Sequence, residues 1–218
     1  MCGRFSLAYD KETVVEYLVK TFAVDDFDYD LPRYNIAPGQ DIPIILFDGS
    51  QFRAGSIKWG FKPSFAVKKK PSFQLVNIRS ESLGSKPMFD KPLRSGRCLV
   101  LADGFYEWND KKPFRMTLEN KRFFLMPGLW TSYQNDHGAS VHSAAIITKP
   151  SDGYMQDIHE RMPVMLEQDA GKLWLTDPVY GKTTRLWQLH TQKKLHGDRV
   201  SDKVNSPKND NKTCISPL

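Results

Sequence analysis

The sequence predicts an α+β domain built on a mostly antiparallel β core, with a few helices beside it. Its apolar residues fall mainly in short runs separated by Gly, Pro and Asp, which is typical of strands joined by turns. Helical periodicity is confined to a few segments that do not alternate with the strands, unlike the crossovers of a parallel α/β sheet. A chain of 218 residues suits a single domain over 1–218 and can fold without disulfides or metals.

Apolar residues recur at helical spacing in three segments. The first helix is predicted over Asp10–Phe22, because Asp10 can cap its N-terminus and an acidic residue follows in the first turn. Two later helices are predicted at Asp169–Leu175 and Thr183–Lys194. Each of these carries a tryptophan on its apolar face, so both are expected to pack against the β core.

Short strands are predicted through the middle of the chain. They span Ile42–Phe47, Phe73–Ile78, Cys98–Ala102, Phe114–Leu118, Arg122–Met126 and Ala144–Thr148. From Gly197 onward the chain is polar. Composition alone therefore predicts a disordered tail over Asn205–Leu218.

The composition excludes several classes of protein. No apolar run reaches the roughly 18 to 20 residues of a membrane span, and no charged-then-apolar leader opens the chain. The three cysteines lack zinc-site spacing, so we expect no structural metal, no disulfide framework and a reduced cytoplasm. No Walker or dinucleotide-binding motif appears, and no cofactor is expected. The net charge of +6 favours polyanionic partners only weakly.

The first candidate for chemistry is Cys2. A residue as small as cysteine at position 2 normally permits removal of Met1, which would leave a free amine and a thiol on one residue. The reference pKa values, about 8 for an α-amine and about 8.5 for a thiol, leave both groups partly deprotonated near neutrality. Such an aminothiol condenses with aldehydes, first to an imine and then to a thiazolidine. The alternative is that Cys2 is an ordinary residue beside the start codon.

Ionisable groups also occur inside two apolar segments. Glu107 lies between two aromatics, where burial would raise its pKa and make it a usable general acid. His159 and Arg161 precede an apolar run, where they suit an acid–base group and a phosphate ligand. The alternatives are a solvent-facing glutamate and a structural histidine.

Polar residues alternate with apolar ones over Asn77–Glu81, so Asn77, Arg79 and Glu81 are predicted to share one face of an extended segment. The polar face of an edge strand would give the same pattern. Basic and aromatic residues also interleave, for example at Arg4 and around Trp59, as in a groove where bases stack and phosphates pair. Most tryptophans are core residues, so composition does not decide between a groove and a core.

Nine short segments form a recognisable series along the chain. They are Met1–Phe5, Arg33–Pro38, Lys58–Gly60, Asn77–Glu81, Arg97–Val100, Ala102–Trp108, Gly128–Trp130, Ile146–Thr148 and His159–Pro163. In this order and spacing they resemble the SRAP family (SOS response-associated peptidase-like), whose members shield abasic sites in single-stranded DNA. The resemblance covers nearly the whole chain and implies a compact, barrel-like antiparallel β core with flanking helices.

The resemblance also implies a mechanism, because family members form a thiazolidine between an N-terminal cysteine and the ring-opened deoxyribose of an abasic site. Carried over, Cys2 would be the nucleophile and Asn77 would hold its amine. Glu107 would act as acid and base in opening the sugar, and His159 would assist imine formation and its reversal. Phosphate contacts are implied at Arg4, Arg79 and Arg161, and base-stacking surfaces at Trp59 and Pro38.

The leading hypothesis is therefore a DNA-damage response protein that crosslinks covalently to abasic sites in single-stranded DNA, with lyase-like Schiff-base chemistry. The alternatives are a thiol peptidase whose one necessary act is removal of Met1, and a non-covalent single-strand binder. We expect a monomer in the bacterial cytosol or nucleoid, with no cofactor, no metal and no membrane partner.

Three further features compare this chain with the family's pattern. Leu101 stands where the family usually has Pro, and Lys91–Gly96, which could contact DNA, is less aromatic and less basic than is usual. Val204–Asn205 matches a pair that family members keep near their end. The match predicts order at least through Asn205, against the composition, and leaves a flexible end after about residue 205.

Overall fold

The elements of the fold are taken from the computed structural model, which describes residues 2–63, 74–135, 137–179, 189–191 and 193–218. The described strands are β1 (Phe5–Leu7), β2 (Arg33–Ile36), β3 (Asp41–Phe47), β4 (Phe52–Trp59), β5 (Asn77–Arg79), β6 (Arg97–Ala102), β7 (Gly104–Asn109), β8 (Lys112–Leu118), β9 (Phe124–Gln134), β10 (Ser140–Pro150), β11 (Arg161–Pro163) and β12 (Leu195–Arg199). The described α-helices are α1 (Lys11–Phe22), α2 (Asp90–Ser95) and α3 (Gln168–Thr176).

Five of these strands close into a barrel. β4 pairs with β3, β3 with β6, β6 with β9 and β9 with β10, each time antiparallel. β10 then returns to β4 in parallel, with Ser143 opposite Lys58 and Ala144 opposite Trp59. The closed ring leaves no free edge among its members, which removes the usual route to edge-to-edge association. It confirms the predicted α+β class with a barrel-like, antiparallel-rich core.

A second, fully antiparallel sheet lies against the barrel, in the order β12-β8-β7-β1-β2. The chain passes from one sheet to the other through Asp103, between β6 and β7. Aromatic rings fill the space between the sheets, because Phe5 and Phe105 of the second sheet contact Trp59 and Phe124 of the barrel. The core therefore joins both sheets into one hydrophobic cluster.

The first predicted helix is confirmed in α1. The Asp10 side chain accepts a hydrogen bond of 2.8 Å from the Thr13 N–H, and so satisfies one of the unpaired donors at the helix start. The later prediction at Asp169–Leu175 is confirmed within α3, where Gly171 lets the helix pack closely on Leu125 of β9. No helix among the residues that the structure describes is long and apolar enough to cross a membrane.

Most strand predictions are confirmed in both sheets, and two of them differ from the structure at their ends. Four of them fall inside β3, β6, β8 and β10. The strand predicted at Arg122–Met126 instead begins at Phe124 and runs on to Gln134. The one predicted at Phe73–Ile78 begins outside the described residues and gives only Asn77–Arg79 as β5. Most of the helix predicted at Thr183–Lys194 also lies outside the described residues.

The C-terminal segment, residues 204–218, packs against β2 in place of the disordered or flexible tail that its composition predicts. The buried Asn35 donates through Nδ2 to the carbonyls of Val204, Ser206 and Asn209. The Asp210 carboxylate accepts from the backbone N–H groups of Tyr34 and Asn35. Polar residues order this segment because their partners lie on β2, about 170 residues earlier in the chain, where composition does not reveal them.

The barrel closure generates a stability prediction at Gly128 on β9. A Cβ atom there would lie 2.8 Å from the Ala145 carbonyl oxygen on β10 and 3.1 Å from the Cys98 sulfur. We expect Gly128→Ala to lower the free energy of unfolding by about 1–3 kcal/mol, because the β9–β10 contact must open. Gly55→Ala on β4 is the matched control, since a Cβ there meets nothing within 4 Å. Urea unfolding measures both variants, and equal losses of stability would contradict the assigned packing.

Candidate active site

The start of the chain is built into the second sheet. Phe5 pairs with Phe105 of β7, Ser6 pairs with Gly104, and the Tyr106 N–H donates to the Arg4 carbonyl at 2.9 Å. Continuing this antiparallel register toward the N-terminus brings Cys2 alongside the stretch of β7 that holds Glu107. The second residue of the chain is therefore positioned by strand pairing.

Asn77 reaches Cys2 from the other sheet. It is the first residue of β5, and its Nδ2 donates a hydrogen bond of 2.7 Å to the Cys2 carbonyl. The other end of the same amide, Oδ1, is buried and has no hydrogen-bond partner among the described residues. An acceptor oxygen beside the chain start suits an amine N–H as its donor.

Cys2 and Glu107 are both buried, at 0% and 2% exposure. Burial raises the pKa of the Cys2 thiol well above its usual range, and the Glu107 carboxylate raises it further. Burial likewise raises the pKa of Glu107, and the interaction with His159 opposes this in part. A glutamate with a raised pKa keeps its proton at a higher pH than an exposed one and can deliver it to a substrate.

His159 is held in one orientation by the backbone that follows it. Its Nδ1 accepts a hydrogen bond of 3.0 Å from the Arg161 N–H, just where β11 begins. The same nitrogen lies 3.1 Å from the Arg161 carbonyl oxygen, so both backbone polar groups of Arg161 face it. The ring also interacts electrostatically with Glu107. Cys2, Asn77, Glu107 and His159, predicted from four distant segments, thus meet in one site.

The predicted DNA contacts fall into two groups. Arg79 and Pro38 are exposed. Arg4 is half-buried, donates to Asn35 Oδ1 at 2.8 Å and to the Val204 carbonyl at 2.5 Å, and lies 6.0 Å from the centre of the Trp108 ring. Arg4 and Arg79 lie two residues from Cys2 and Asn77 in the chain, and Arg79 is the most accessible cation of the predicted set.

Trp59 does not have the surface that its predicted stacking role requires. The side chain is 0% exposed, its Nε1 donates to the Val76 carbonyl at 2.9 Å, and its ring contacts Phe5 edge-on at 5.3 Å between centroids. The prediction is wrong for this structure, because the indole fills the space between the two sheets and no face is left for a base. The sequence pattern around a tryptophan in the core can be the same as around one in a binding groove, so sequence alone did not distinguish the two.

Arg161 is also buried, and its guanidinium is engaged within the protein. It forms a two-pronged ion pair with Glu81, in which the Nη2–Oε2 distance is 3.0 Å, and donates to the Thr148 carbonyl at 2.9 Å. The predicted phosphate contact is therefore not presented at the surface. Glu81 does not share the face of Asn77 and Arg79 as predicted, because β5 ends at Arg79 and residues 80–82 form a 3₁₀ turn.

Sequence reasoning missed two polar residues beside the site. Asn35 lies in an apolar segment of β2 and is fully buried. A polar residue inside an apolar strand indicates an amide that is hydrogen-bonded within the protein, and this pattern could have identified it. Trp108 is partly exposed and donates through Nε1 to Asn205 Oδ1 at 2.7 Å. In the part of the chain that the structure describes, no group of three or more His, Cys, Asp or Glu residues is arranged to hold a metal.

Comparison with known proteins agrees with this architecture. A family model described as SOS response associated peptidase (SRAP) matches residues 1–207. The abasic site processing protein YoqW of Bacillus subtilis (strain 168) is 38% identical over 228 residues, covering 99% of each chain. The abasic site processing protein YedK of Escherichia coli (strain K12) is 26% identical over 193 residues, covering 84% of this chain and 82% of that protein. A crystal structure of a protein from Bacteroides thetaiotaomicron shares the fold, with a TM-score of 0.79 at 20% identity over the full length of both chains. The chain belongs to the SRAP family.

Proposed function

We propose that this protein processes abasic sites in single-stranded DNA by forming a covalent thiazolidine through Cys2 after Met1 is removed. The observation that carries the proposal is the meeting of Cys2 with Asn77, Glu107 and His159 in one buried site. The relatives YoqW and YedK, both named as abasic site processing proteins, support the substrate.

The proposed reaction begins with the sugar. Abasic deoxyribose is mostly a closed hemiacetal, and opening it requires a proton on the ring oxygen and removal of one from the hydroxyl at C1. Glu107 suits the first role, because its raised pKa keeps the carboxyl protonated at higher pH than usual. The opened sugar then presents an aldehyde to the start of the chain.

Bond formation follows in two steps. The Cys2 amine adds its lone pair to the aldehyde carbon, and the carbonyl oxygen, after taking up two protons, leaves as water to give an imine. The thiol sulfur then bonds to the same carbon, and its proton passes to the nitrogen. The sum is an aldehyde plus an aminothiol giving a thiazolidine and water, without an oxidant or a cofactor. His159, oriented by the backbone of Arg161, can assist proton transfer in these steps.

Burial of Cys2 suits this order of events. The raised pKa of the thiol keeps it neutral, so the amine attacks first and the thiol completes the ring. The Asn77 amide, with Nδ2 on the Cys2 carbonyl and an open Oδ1, can hold the new amine in place for attack. Holding reacting groups in this way supplies much of the rate of such condensations.

The proposal extends to the setting in which the protein works. We infer one domain over 1–218 that acts as a monomer in the cytoplasm, with single-stranded DNA as partner. Peptidase activity, which the family description names, is needed only at the bond between Met1 and Cys2. A peptidase that acts more widely would cleave other peptides and would give no denaturation-resistant complex with DNA.

The chain start provides the most direct test of the proposal. A residue ahead of Cys2 turns its amine into an amide nitrogen, whose lone pair is delocalised and does not add to aldehydes. We expect the mature chain to give an adduct with abasic single-stranded DNA on a denaturing gel, and an uncleaved N-terminal extension to give none. Cys2→Ala should give only an imine that borohydride can trap.

The control is the same extended chain after site-specific cleavage that exposes Cys2, which should recover the adduct in full. Intact mass of the protein checks both loss of Met1 and the adduct. A full yield of stable adduct from the extended chain would refute the thiazolidine mechanism, since no aminothiol would be present.

Glu107→Gln tests the proton donor. The variant keeps the shape of the side chain but cannot cycle a proton, so single-turnover crosslinking should slow by about 10²-fold or more. The wild-type crosslinking rate should fall as pH rises through the raised pKa of Glu107, because the protonated acid is lost. The pH–rate profile of the variant should lack this fall. Glu119→Gln, at an exposed position, is the control. A wild-type rate in Glu107→Gln would remove Glu107 from the mechanism.

Arg79→Ala tests the DNA contact, measured in a Cys2→Ala background so that binding is not masked by crosslinking. Binding to single-stranded DNA should weaken with salt, and loss of one phosphate contact should reduce the slope of log affinity against log salt by about 0.7. Arg199→Ala, an exposed arginine on β12, should leave the slope unchanged. Equal effects of both variants would assign the affinity to overall charge and not to a groove at Arg79.

A further inference from the structure

Thr148 of β10 lies between the two strands that carry half of the candidate site. It pairs with Arg79 of β5 in parallel and with Pro163 of β11 in antiparallel orientation. A strand residue has one neighbour on each edge, so β5 and β11 flank β10 on opposite sides at this point. The segment of Asn77 and the segment of His159 are therefore separated by the width of one strand.

The Arg161 side chain spans that width. It starts on β11, donates through Nη2 to the Thr148 carbonyl at 2.9 Å and to Thr148 Oγ1 at 3.3 Å, and ends on both oxygens of Glu81, just beyond β5. Two-pronged pairing between a guanidinium and a carboxylate sets geometry as well as charge. Glu81 is ionised throughout the neutral range, because the hydrogen bonds from Arg161 lower its pKa to about 2. The pair thus ties the two edges of β10 together.

The backbone of Arg161 also contacts His159, the candidate acid–base group two residues earlier in the chain. Its backbone N–H donates to His159 Nδ1 at 3.0 Å. Glu81 follows Asn77 by four residues on the opposite edge of β10. Arg161 thus contacts His159 through its backbone and Glu81 through its side chain, so the ion pair and the pairing with β10 together hold the backbone that orients the imidazole.

We propose that the Glu81–Arg161 ion pair is a positioning device for the crosslinking reaction, and that it fixes the His159 ring relative to Asn77 across β10. The inference rests on the function proposed above. It gives Arg161 an internal role in place of the phosphate contact that the sequence predicts. A displacement of about 1 Å in a reacting group can slow a reaction by about 10²-fold without a loss of binding. The device should therefore act on the rate at saturating DNA and not on affinity.

A direct phosphate contact at Arg161 makes different demands. The Arg161 side chain is 8% exposed, and both of its terminal nitrogens already bond to Glu81, so a phosphate would have to displace that carboxylate. Replacing Glu81 by a neutral residue would then strengthen binding to DNA. The two roles thus predict opposite outcomes for the same variant.

The experiment measures two quantities for each variant with an abasic single strand. The first is the maximal single-turnover crosslinking rate and the DNA concentration that gives half of it. The second is the salt dependence of non-covalent binding in a Cys2→Ala background. The variants are Glu81→Gln, Arg161→Gln and the double variant, and thermal melting checks that each is folded. Glu160→Gln is the matched control, because it removes the same charge from an exposed side chain between His159 and Arg161.

We expect Glu81→Gln to lower the maximal rate at least tenfold, with the half-saturating concentration changed less than twofold. The double variant should be no slower than Arg161→Gln alone, because the two side chains act as one unit. Glu160→Gln should react at the wild-type rate. Arg161→Gln should leave the salt slope unchanged.

Several results would overturn the inference. A wild-type maximal rate in Glu81→Gln would show that the pair positions nothing that the reaction uses. Tighter DNA binding by Glu81→Gln, or a smaller salt slope in Arg161→Gln, would return Arg161 to the phosphate role. If Glu81→Gln does not fold, Arg161→Lys replaces it, because lysine keeps the charge and loses the two-pronged geometry. A wild-type maximal rate in Arg161→Lys would likewise overturn the inference. Failure of the wild-type chain to crosslink would instead refute the proposed function.

Discussion

The pairing of β10 with four other strands is the constraint on which the rest of the structure depends. β9 and β4 join it within the barrel, and β5 and β11 join it at its C-terminal end. Parallel pairing with β4 closes the barrel, and the same strand then carries the Asn77 and His159 segments on its two edges. Because one strand serves both purposes, the geometry of the site follows from the closure of the barrel.

The site combines this rigid frame with an unusual place for the proposed nucleophile, Cys2, the second residue of the chain. Chain ends are usually mobile unless they are tied into a sheet. Here β1 lies between β2 and β7, so the terminus enters the site as part of a hydrogen-bonded ladder. Burial has a chemical effect as well, because it raises the pKa values of both Cys2 and Glu107.

The parts that could be predicted from the sequence were local patterns. The Asp10 cap and the apolar runs gave α1 and several barrel strands, and family-like motifs brought Cys2, Asn77, Glu107 and His159 into one hypothesis. Long-range partners could not be predicted. The burial of Trp59 depends on Phe5 from another sheet, and Glu81 meets Arg161 across 80 residues of chain. Such contacts are decided by register and closure, which no window of sequence contains.

The C-terminal segment joins the two ends of the chain at the site. Arg4 donates to the Val204 carbonyl, and Trp108, next to Glu107, donates to Asn205. Arg4 and Val204 are 200 residues apart in the chain, so their contact closes a very long loop and depends on the folding of the strands between them. The surroundings of Cys2 are therefore a property of the whole fold and not of the segment that carries it.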